Sequence, residues 1–240
     1  MGERKKTRQI LVGKVKMGGG APVTIQSMLN TPAEDFVASV EQAKRLEAAG
    51  CEIIRAAIPN LQSVPLIEHL KKAVSVPIVA DIHFDYRLAL EAVAAGVDKV
   101  RINPGNIGDE DRVRQVVQCC KQHNVPIRVG VNSGSLEKHI LAKYGHPTAQ
   151  AMVDSALYHV SLIEKYDYDQ IAISIKSSNV QTMIEAYRLA SQQCNYPLHL
   201  GVTETGTARM GLIKSAVGIG SLLCDGIGDT IRVSLTDDPV

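Results

Sequence analysis

Short runs rich in valine and isoleucine alternate along this chain with longer stretches in which apolar residues recur every three or four positions. Near-continuous apolar runs, rather than strict alternation, are typical of parallel strands that helices cover on both faces. Eight runs have this character: APVTIQSM, EIIRAAI, PIVADIH, KVRINPG, PIRVGVN, QIAISIKSS, PLHLGVTE and TIRVSLT. The pattern therefore predicts buried parallel strands joined by amphipathic helices.

The stretches between these runs carry helix signals. Among them are DFVASVEQAKRLEAAG, RLALEAVAAG, DRVRQVVQCCKQHN, NVQTMIEAYRLASQQC and RMGLIKSAVGIGSLLCDG. Several end on glycine or asparagine, the residues that most easily take the left-handed conformation at a helix C-terminus. Eight strand-like runs separated by helices in 240 residues predict an α/β fold of the (β/α)8, or TIM-barrel, type.

A doubly wound open sheet is the competing architecture. If it bound a dinucleotide, it would have a glycine-rich turn after its first strand, whereas APVTIQSM is followed by LNTPAED. The run MGGG precedes that strand instead, and we interpret it as the end of a hairpin formed by QILVGKVKMG. We therefore expect an N-terminal arm and hairpin over residues 1–20 and a barrel over residues 21–240.

Two connections raise further expectations. The stretch SGSLEKHILAKYGHPTAQ after the fifth strand is longer than the others, and it is interpreted either as a lid over the barrel mouth or as a surface insertion. At the other end, Asp238 and Pro239 form a helix start signal directly after the eighth strand. We expect the eighth barrel helix to follow there and to be missing from this chain, a piece of a longer protein.

Composition narrows the possible functions. Lysine and arginine number 26 and aspartate and glutamate 25, a balance that does not indicate a nucleic-acid-binding or membrane-surface protein. With no apolar stretch long enough for a membrane span and no signal peptide, we expect a cytoplasmic protein. The five cysteines form no C-x-x-C pair and no recognisable metal site, so we expect reduced thiols and no metal ligands here.

The candidate chemistry lies in the cations of the strands. Five strand-like runs carry one inside or near the end of the apolar stretch: Arg55, Arg101, Arg128, Lys176 and Arg232. The same runs supply two carboxylates, Asp81 and Glu204, and pairing with these would neutralise only two of the cations. Because an unpaired buried charge costs several kcal/mol, the excess predicts an anionic ligand, most simply two linked phosphates.

Three further side chains have candidate roles. His83 follows Asp81 with alternate spacing, so both are expected at the barrel mouth, where Asp81 would hold Arg55 or Arg101 in place. Glu204, at the end of the seventh strand, is a candidate proton donor once a diphosphate has neutralised the cations beside it, or a structural salt bridge. His199 lies between leucines and is interpreted as a hydrogen-bonded core histidine.

Five motifs carry a family resemblance: VADIHFDYRLAL, RINPGNIG, IRVGVNSGSLE, PLHLGVTETG and GIGDTIRVSLTDDPV. They resemble the 4-hydroxy-3-methylbut-2-enyl diphosphate synthases of the methylerythritol phosphate route to isoprenoids, in the same order along the chain. The resemblance implies an oxidoreductase that reductively opens and dehydrates 2-C-methyl-D-erythritol 2,4-cyclodiphosphate. It also implies a 4Fe–4S cluster, flavodoxin or ferredoxin as electron donor, and a homodimer.

The resemblance assigns roles residue by residue. It implies Glu204 as the acid/base and the following substrate-binding residues: Arg55, His83, Arg101, Asn103, Arg128, Asn132, Lys176, Arg232 and Ser234. The family's cluster cysteines belong to a C-terminal iron–sulfur domain, and none of Cys51, Cys119, Cys120, Cys194 and Cys224 matches them. The chain alone is therefore expected to bind substrate without turning it over.

Two other functions fit the same cations. A non-catalytic diphosphate-binding module would use them without needing Glu204 or a cluster. Another phosphate-handling barrel, such as a pterin-condensing transferase, would use them for a different substrate.

Overall fold

A closed parallel barrel forms the body of the protein, which a computed structural model describes over residues 3–203 and 207–240. The hairpin strands are β1 (Ile10–Val12) and β2 (Val15–Met17), and the barrel strands are β3 (Thr24–Met28), β4 (Ile53–Ala57), β5 (Ile78–Asp81), β6 (Lys99–Ile102), β7 (Ile127–Asn132), β8 (Ile171–Lys176), β9 (His199–Leu200) and β10 (Thr230–Ile231). Neighbouring barrel strands pair in parallel from β3 to β8, and β10 joins β3 to β9. A parallel bridge between Ile173 and Leu198 closes the ring, so the TIM-barrel prediction is confirmed.

The helices cover the outside of the barrel. Their bounds are α1 (Phe36–Ala48), α2 (Pro65–Ala73), α3 (Tyr86–Ala94), α4 (Glu110–His123), α5 (Lys138–Tyr144), α6 (Ala149–Glu164), α7 (Val180–Gln193) and α8 (Ala208–Cys224). Side-chain caps fix several starts: Asp35 accepts from Ala38 N, and Asn179 accepts from Thr182 N, each at 3.0 Å. Such caps satisfy backbone donors that the first helical turn leaves unpaired.

Residue alternation along each strand separates an outer core from the barrel interior. In β6, Val100 and Ile102 belong to the apolar cluster between strands and helices. Lys99 and Arg101, at the alternate positions, face the interior because successive strand residues point to opposite faces. The interior therefore receives the polar positions of the strands, and the outer core receives the valines and isoleucines.

The N-terminal hairpin closes the end of the barrel where the strands begin. The predicted hairpin QILVGKVKMG forms β1 and β2, which pair antiparallel with Ile10 opposite Met17. Its buried residues and three barrel residues form one apolar cluster: Ile10, Val12, Met17, Ile53, Val79 and Ala172. The last three lie at the first or second position of their strands, which places the hairpin beneath the barrel floor.

The structure differs from the expected pattern in the last two strands. The runs PLHLGVTE and TIRVSLT contribute only two residues each to the sheet, His199–Leu200 and Thr230–Ile231. Arg232 lies just past β10, although its backbone N–H still bonds to the Leu200 carbonyl at 3.0 Å. β10 pairs with both β3 and β9, and the bridge between Ile173 and Leu198 joins the β9 side to β8, so the barrel is closed with few ladder contacts on this side.

The long connection after β7 contains the helix α5. Lys143 and Tyr144, at the end of α5, bond to the Asp154 carboxylate of α6 at 2.8 and 2.6 Å. These two contacts attach α5 to the outer wall. No helix of the described residues is long and apolar enough to cross a membrane.

Candidate anion-binding site

Asp81 organises the charged side chains at the end of the barrel where the strands end. It is the last residue of β5, is 4% exposed, and its neighbours in the register lie in β4 and β6. Its carboxylate oxygens lie 3.6 Å from Arg55 Nη2, 3.3 Å from Arg101 Nη1 and 3.1 Å from His83 Nε2. Asp81 thus holds both of the arginines that the sequence offered as its partners.

The charge state of Asp81 follows from these contacts. Burial alone would raise the pKa of Asp81, but the Arg55 guanidinium, the His83 hydrogen bond and the Arg101 guanidinium together hold that pKa well below its usual range. His83 itself lies beyond the strand, with a side chain 56% exposed, and lines a cavity of about 220 Å³ together with Asp81 and Phe84. The structure therefore places His83 at the mouth.

Arg55 has a second, unusual neighbour. Its Nε and Nη2 atoms lie 3.0 and 2.7 Å from the sulfur of Met28, the last residue of β3. A thioether is only a weak acceptor, so this contact compensates little of the guanidinium charge. Burial lowers the pKa of Arg55 first, Asp81 opposes this, and the Arg101 charge adds to the lowering.

Arg128 is the most deeply buried cation of the predicted set. It is the second residue of β7, its exposure is 0%, and none of its three guanidinium nitrogens has a hydrogen-bond partner among the described residues. Burial and then the charges of Arg55 and Arg101 lower the pKa of Arg128 well below its ordinary value. A bound anion would satisfy these nitrogens, because the planar guanidinium group matches the spacing of phosphate oxygens.

A glycine makes room for one of these arginines. Arg101 lies opposite Arg128 in the register of β6 and β7. A Cβ atom at Gly130 would lie 2.5 Å from Arg101 Nε and 2.7 Å from its Nη2. The absence of a side chain at position 130 therefore lets the Arg101 guanidinium lie across β7 and reach Asp81.

Lys176 and Arg232 complete the five predicted cations. Lys176 ends β8, and its pKa is well below the ordinary value because of burial and the charges of Arg55, Arg232, Arg128 and Arg101. Burial and the Arg55 charge likewise lower the pKa of Arg232 to about 10, although Asp81 opposes the shift. These effects link each of the five cations to at least three of the others.

The neutral candidates lie around the same mouth. Asn103 is 4% exposed, and its Oδ1 accepts from Gly105 N at 3.1 Å, which leaves the side-chain NH2 as its donor group. Asn132, exposed at the end of β7, accepts from Gly134 N at 3.5 Å. Ser234 is half-buried beyond β10. Glu204, the predicted acid/base, lies outside the described residues.

Two interior residues were missed or misread from the sequence. Lys99, two positions before Arg101, is fully buried, and its Nζ has no partner within residues 3–203 and 207–240. The alternate spacing of Lys99 and Arg101 was the signal that both share the interior face. His199 is buried as expected, but the predicted hydrogen bond is wrong, because neither ring nitrogen has a partner in the described part of the chain. Burial and then the charge of Arg128 lower the pKa of His199 well below its ordinary value.

The charge balance of the interior is strongly one-sided. The described cations on the interior face number six: Arg55, Lys99, Arg101, Arg128, Lys176 and Arg232. Against these six, Asp81 is the one carboxylate that the structure describes beside them, with contacts to Arg55 and Arg101. Fold and site together define a (β/α)8 barrel whose interior carries an excess of positive charge towards the carboxyl ends of its strands.

Comparison with known proteins identifies the family. Residues 7–240 match the model of the GcpE TIM-barrel domain, and the chain belongs to that family. It is 57% identical over 237 residues to 4-hydroxy-3-methylbut-2-en-1-yl diphosphate synthase (flavodoxin) of Clostridium perfringens, covering 99% of this chain and 68% of that protein. The protein of the same name from Fusobacterium nucleatum is 56% identical, with 98% and 67% covered. The chain thus spans about two thirds of these relatives and corresponds to the barrel part of the enzyme.

Solved structures of other enzymes share the fold. Dihydropteroate synthase of Burkholderia cenocepacia superposes with a TM-score of 0.68 at 14% identity, covering 97% of this chain and 92% of that one. Phospho-2-dehydro-3-deoxyheptonate aldolase of Thermotoga maritima gives a TM-score of 0.67 at 14% identity, with 98% and 68% covered. At such low identity these likenesses show the barrel architecture alone.

The described residues do not fit an iron–sulfur cluster, the cofactor of this enzyme family. A 4Fe–4S cluster is held by converging cysteine thiolates. The five cysteines are dispersed, with Cys51 and Cys120 buried and Cys224 exposed, and no group of three or more histidine, cysteine, aspartate or glutamate side chains within the described ranges is placed to hold a metal.

Proposed function

We propose that this chain is the substrate-binding barrel of a 4-hydroxy-3-methylbut-2-enyl diphosphate synthase. The interior cations would bind the two phosphates of 2-C-methyl-D-erythritol 2,4-cyclodiphosphate, whose ring the enzyme opens and whose hydroxyl it removes by two-electron reduction. One observation supports this most directly: the Arg128 guanidinium is completely buried with no hydrogen-bond partner in the described ranges. An anion is the ligand that such a group lacks.

The proposed roles follow from the contacts. Arg128, Arg101 and Arg55 bind phosphate oxygens, and Asp81 keeps the last two in position through its contacts at 3.3 and 3.6 Å. Lys176 and Arg232 add charge from the opposite side of the barrel. These interactions hold the cyclic substrate at one place in the mouth, which is the part of catalysis that rigid strand ends perform well.

The polar side chains would orient the rest of the molecule. The Asn103 NH2, the Asn132 side chain, His83 and the Ser234 hydroxyl are proposed to bind its oxygens. Glu204 is proposed as the acid that protonates a departing oxygen. Its carboxyl group would hold the required proton once the substrate's negative charges offset the neighbouring cations.

The remaining features of the enzyme are proposed from the family. Curated relatives carry flavodoxin in their name, and we propose flavodoxin or ferredoxin as the electron donor of the whole enzyme. A cytoplasmic homodimer is proposed on the same basis. Because the described residues offer no cluster ligands, their proposed work is restricted to binding, orientation and proton placement.

Calorimetric titration of the chain with the cyclodiphosphate tests this function. Binding that weakens between low and moderate salt is expected, because screening reduces attraction between the cations and the phosphates. Arg128→Gln should lose much of this binding, whereas the matched control Arg188→Gln should keep it, since Arg188 is exposed on the outer helix α7 and pairs with Asp225 at 2.8 Å. The absence of binding by folded protein would contradict the proposal for the barrel alone.

A pterin diphosphate serves as the competing ligand in the same titration. The fold likeness to dihydropteroate synthase is accompanied by only 14% identity, against 57% to the diphosphate synthase of Clostridium perfringens. No binding of consequence is therefore expected. Preferential binding of the pterin ligand would favour a transferase.

A further inference from the structure

Lys99 is a buried titratable group to which the proposed function assigns no role. It is the first residue of β6, with Arg101 two positions further along the same interior face. Its exposure is 0%, and its Nζ finds no hydrogen-bond partner in the described parts of the chain. An ammonium group has three donors, so a charged Lys99 would leave all of them unsatisfied.

The groups that interact electrostatically with Lys99 lie on β4, β7 and β9, and Gln26 of β3 and Lys176 of β8 are further polar residues of the barrel interior. Arg128 of β7 and Arg55 of β4 carry the charges that act on it most strongly, and His199 of β9 is in turn affected by both Lys99 and Arg128. Gln26 of β3 has both side-chain polar atoms buried without a partner among the described residues. Lys176 of β8 belongs to the same cationic set.

Nothing described beside Lys99 compensates a positive charge. Asp81 of β5 is already shared by Arg55, Arg101 and His83. Beside Lys99, its register partner Val79 packs against the apolar hairpin residues Ile10, Val12 and Met17, which places Lys99 directly above the floor of the barrel. The side chain therefore lies between an apolar floor and a layer of arginines.

This surrounding favours the neutral amine. A lysine in water is charged at neutral pH, because its pKa is about 10.4. Here burial, followed by the charges of Arg128 and Arg55, lowers the pKa of Lys99 well below that value. A bound diphosphate would weaken the effect of the two arginines on the pKa of Lys99, because its negative charges offset their positive ones.

We propose that Lys99 is a neutral amine in the ligand-free barrel. When a diphosphate binds above it, Lys99 takes up one proton from solvent and becomes the sixth cation of the site. The step is a simple protonation, in which the amine lone pair accepts a proton from water or buffer and no bond of the ligand breaks. The proposal rests on the proposed function only in taking a diphosphate as the ligand. It makes binding stronger as the pH falls, which a site of permanently charged arginines would not do.

Calorimetry in buffers with different ionisation enthalpies counts the protons taken up. The cyclodiphosphate is a suitable probe, because each of its phosphorus atoms carries a single, strongly acidic hydroxyl and the ligand itself does not titrate near neutral pH. At about pH 8, the wild-type chain is expected to take up about one proton more per ligand bound than the Lys99→Met variant. Lys72→Met, an exposed lysine of α2 with a side chain 79% exposed, is the matched control and should equal the wild type.

Variants of two other interior groups test whether those groups, rather than Lys99, take up the proton. Lys176→Met and His199→Gln test the interior lysine and histidine whose pKa values are also lowered. If Lys99→Met takes up as many protons as the wild type, the proposal is overturned. The same conclusion follows if the whole difference appears in Lys176→Met or His199→Gln.

A second measurement uses the wild-type protein and does not depend on the folding of a variant. The 13Cε resonance of Lys99 in lysine-labelled protein reports directly whether its amine is charged. A neutral signal at about pH 8 that changes to a charged one on adding ligand supports the proposal. A charged signal in ligand-free protein overturns it.

The two hypotheses fail in different ways. If the cyclodiphosphate does not bind but inorganic diphosphate binds and charges Lys99, the substrate assignment falls and the Lys99 inference stands. If the cyclodiphosphate binds without any change at Lys99, the inference falls and the proposed function stands.

Discussion

Replacing Arg128 by methionine should stabilise the protein and weaken ligand binding at the same time. Arg128 has 0% exposure and no hydrogen-bond partner for any of its three guanidinium nitrogens among the described residues. Methionine has a similar length, needs no hydrogen bonds and carries no charge. The change therefore removes an uncompensated buried cation while largely filling its volume.

The expected magnitude follows from the two effects. Exchanging buried charged groups for apolar ones of similar volume is worth up to about 1–4 kcal/mol, and we expect the free energy of unfolding of Arg128→Met to rise by about 1–2 kcal/mol after some loss of packing. Loss of a charge-assisted hydrogen bond to the ligand costs about 1.5–3 kcal/mol, which is roughly a 10- to 150-fold weaker affinity.

Urea denaturation and calorimetric titration with the cyclodiphosphate measure the two changes. Arg188→Met is the control, because Arg188 has a side chain 51% exposed on the outer helix α7 and an exposed-surface change should alter the unfolding free energy little. Most substitutions of fully buried residues destabilise a protein, so an increase in stability would be informative. If Arg128→Met instead lowers the unfolding free energy by more than about 1 kcal/mol, its charge is already compensated in the empty barrel and the anion argument fails.

Three further changes probe the same site. Asp81→Asn should lower the unfolding free energy by about 3–5 kcal/mol at neutral pH, since it leaves buried cations unpaired. Because the folded-state pKa of Asp81 is lowered, this difference should shrink as the pH falls below about 4. A difference that stays constant with pH in urea denaturation would contradict the reasoning. Gly130→Ala should displace the Arg101 guanidinium, whose Nε would lie 2.5 Å from the new Cβ, and weaken diphosphate binding by about 1–2 kcal/mol in calorimetry, unless Arg101 plays no part in binding. Glu204→Gln in the whole enzyme should reduce kcat far more than substrate affinity, and a parallel loss of both would make Glu204 a positioning residue.

The fold was predictable because its signals are local. Apolar runs such as PIRVGVN and caps such as Asp35 specify strands and helix starts within a few residues, and the barrel follows from their alternation. The lengths of β9 and β10 were not predictable, because they depend on pairing with strands distant in the chain.

The sequence indicated several of the cations that face the barrel interior, but not the contacts that they make. Arg128 was recognisable because a cation inside an apolar run has no obvious partner. Lys99 was overlooked because a lysine at the first position of a strand usually reaches solvent, and only the hairpin beneath it excludes that solvent here. His199 was expected to have a hydrogen bond, but its position among cations depends on three-dimensional neighbours that flanking leucines do not reveal.

The N-terminal hairpin closes the barrel interior at the end where the strands begin. Ile10, Val12 and Met17 pack against Ile53, Val79 and Ala172, so apolar side chains cover the barrel interior at this end. The hairpin has no predicted contact with the ligand, but it keeps water away from the buried charges. Opening it would hydrate Lys99 and Arg128 and would weaken the electrostatic interactions above them. Substitutions in β1 and β2 are thus expected to change ligand affinity from the far side of the molecule.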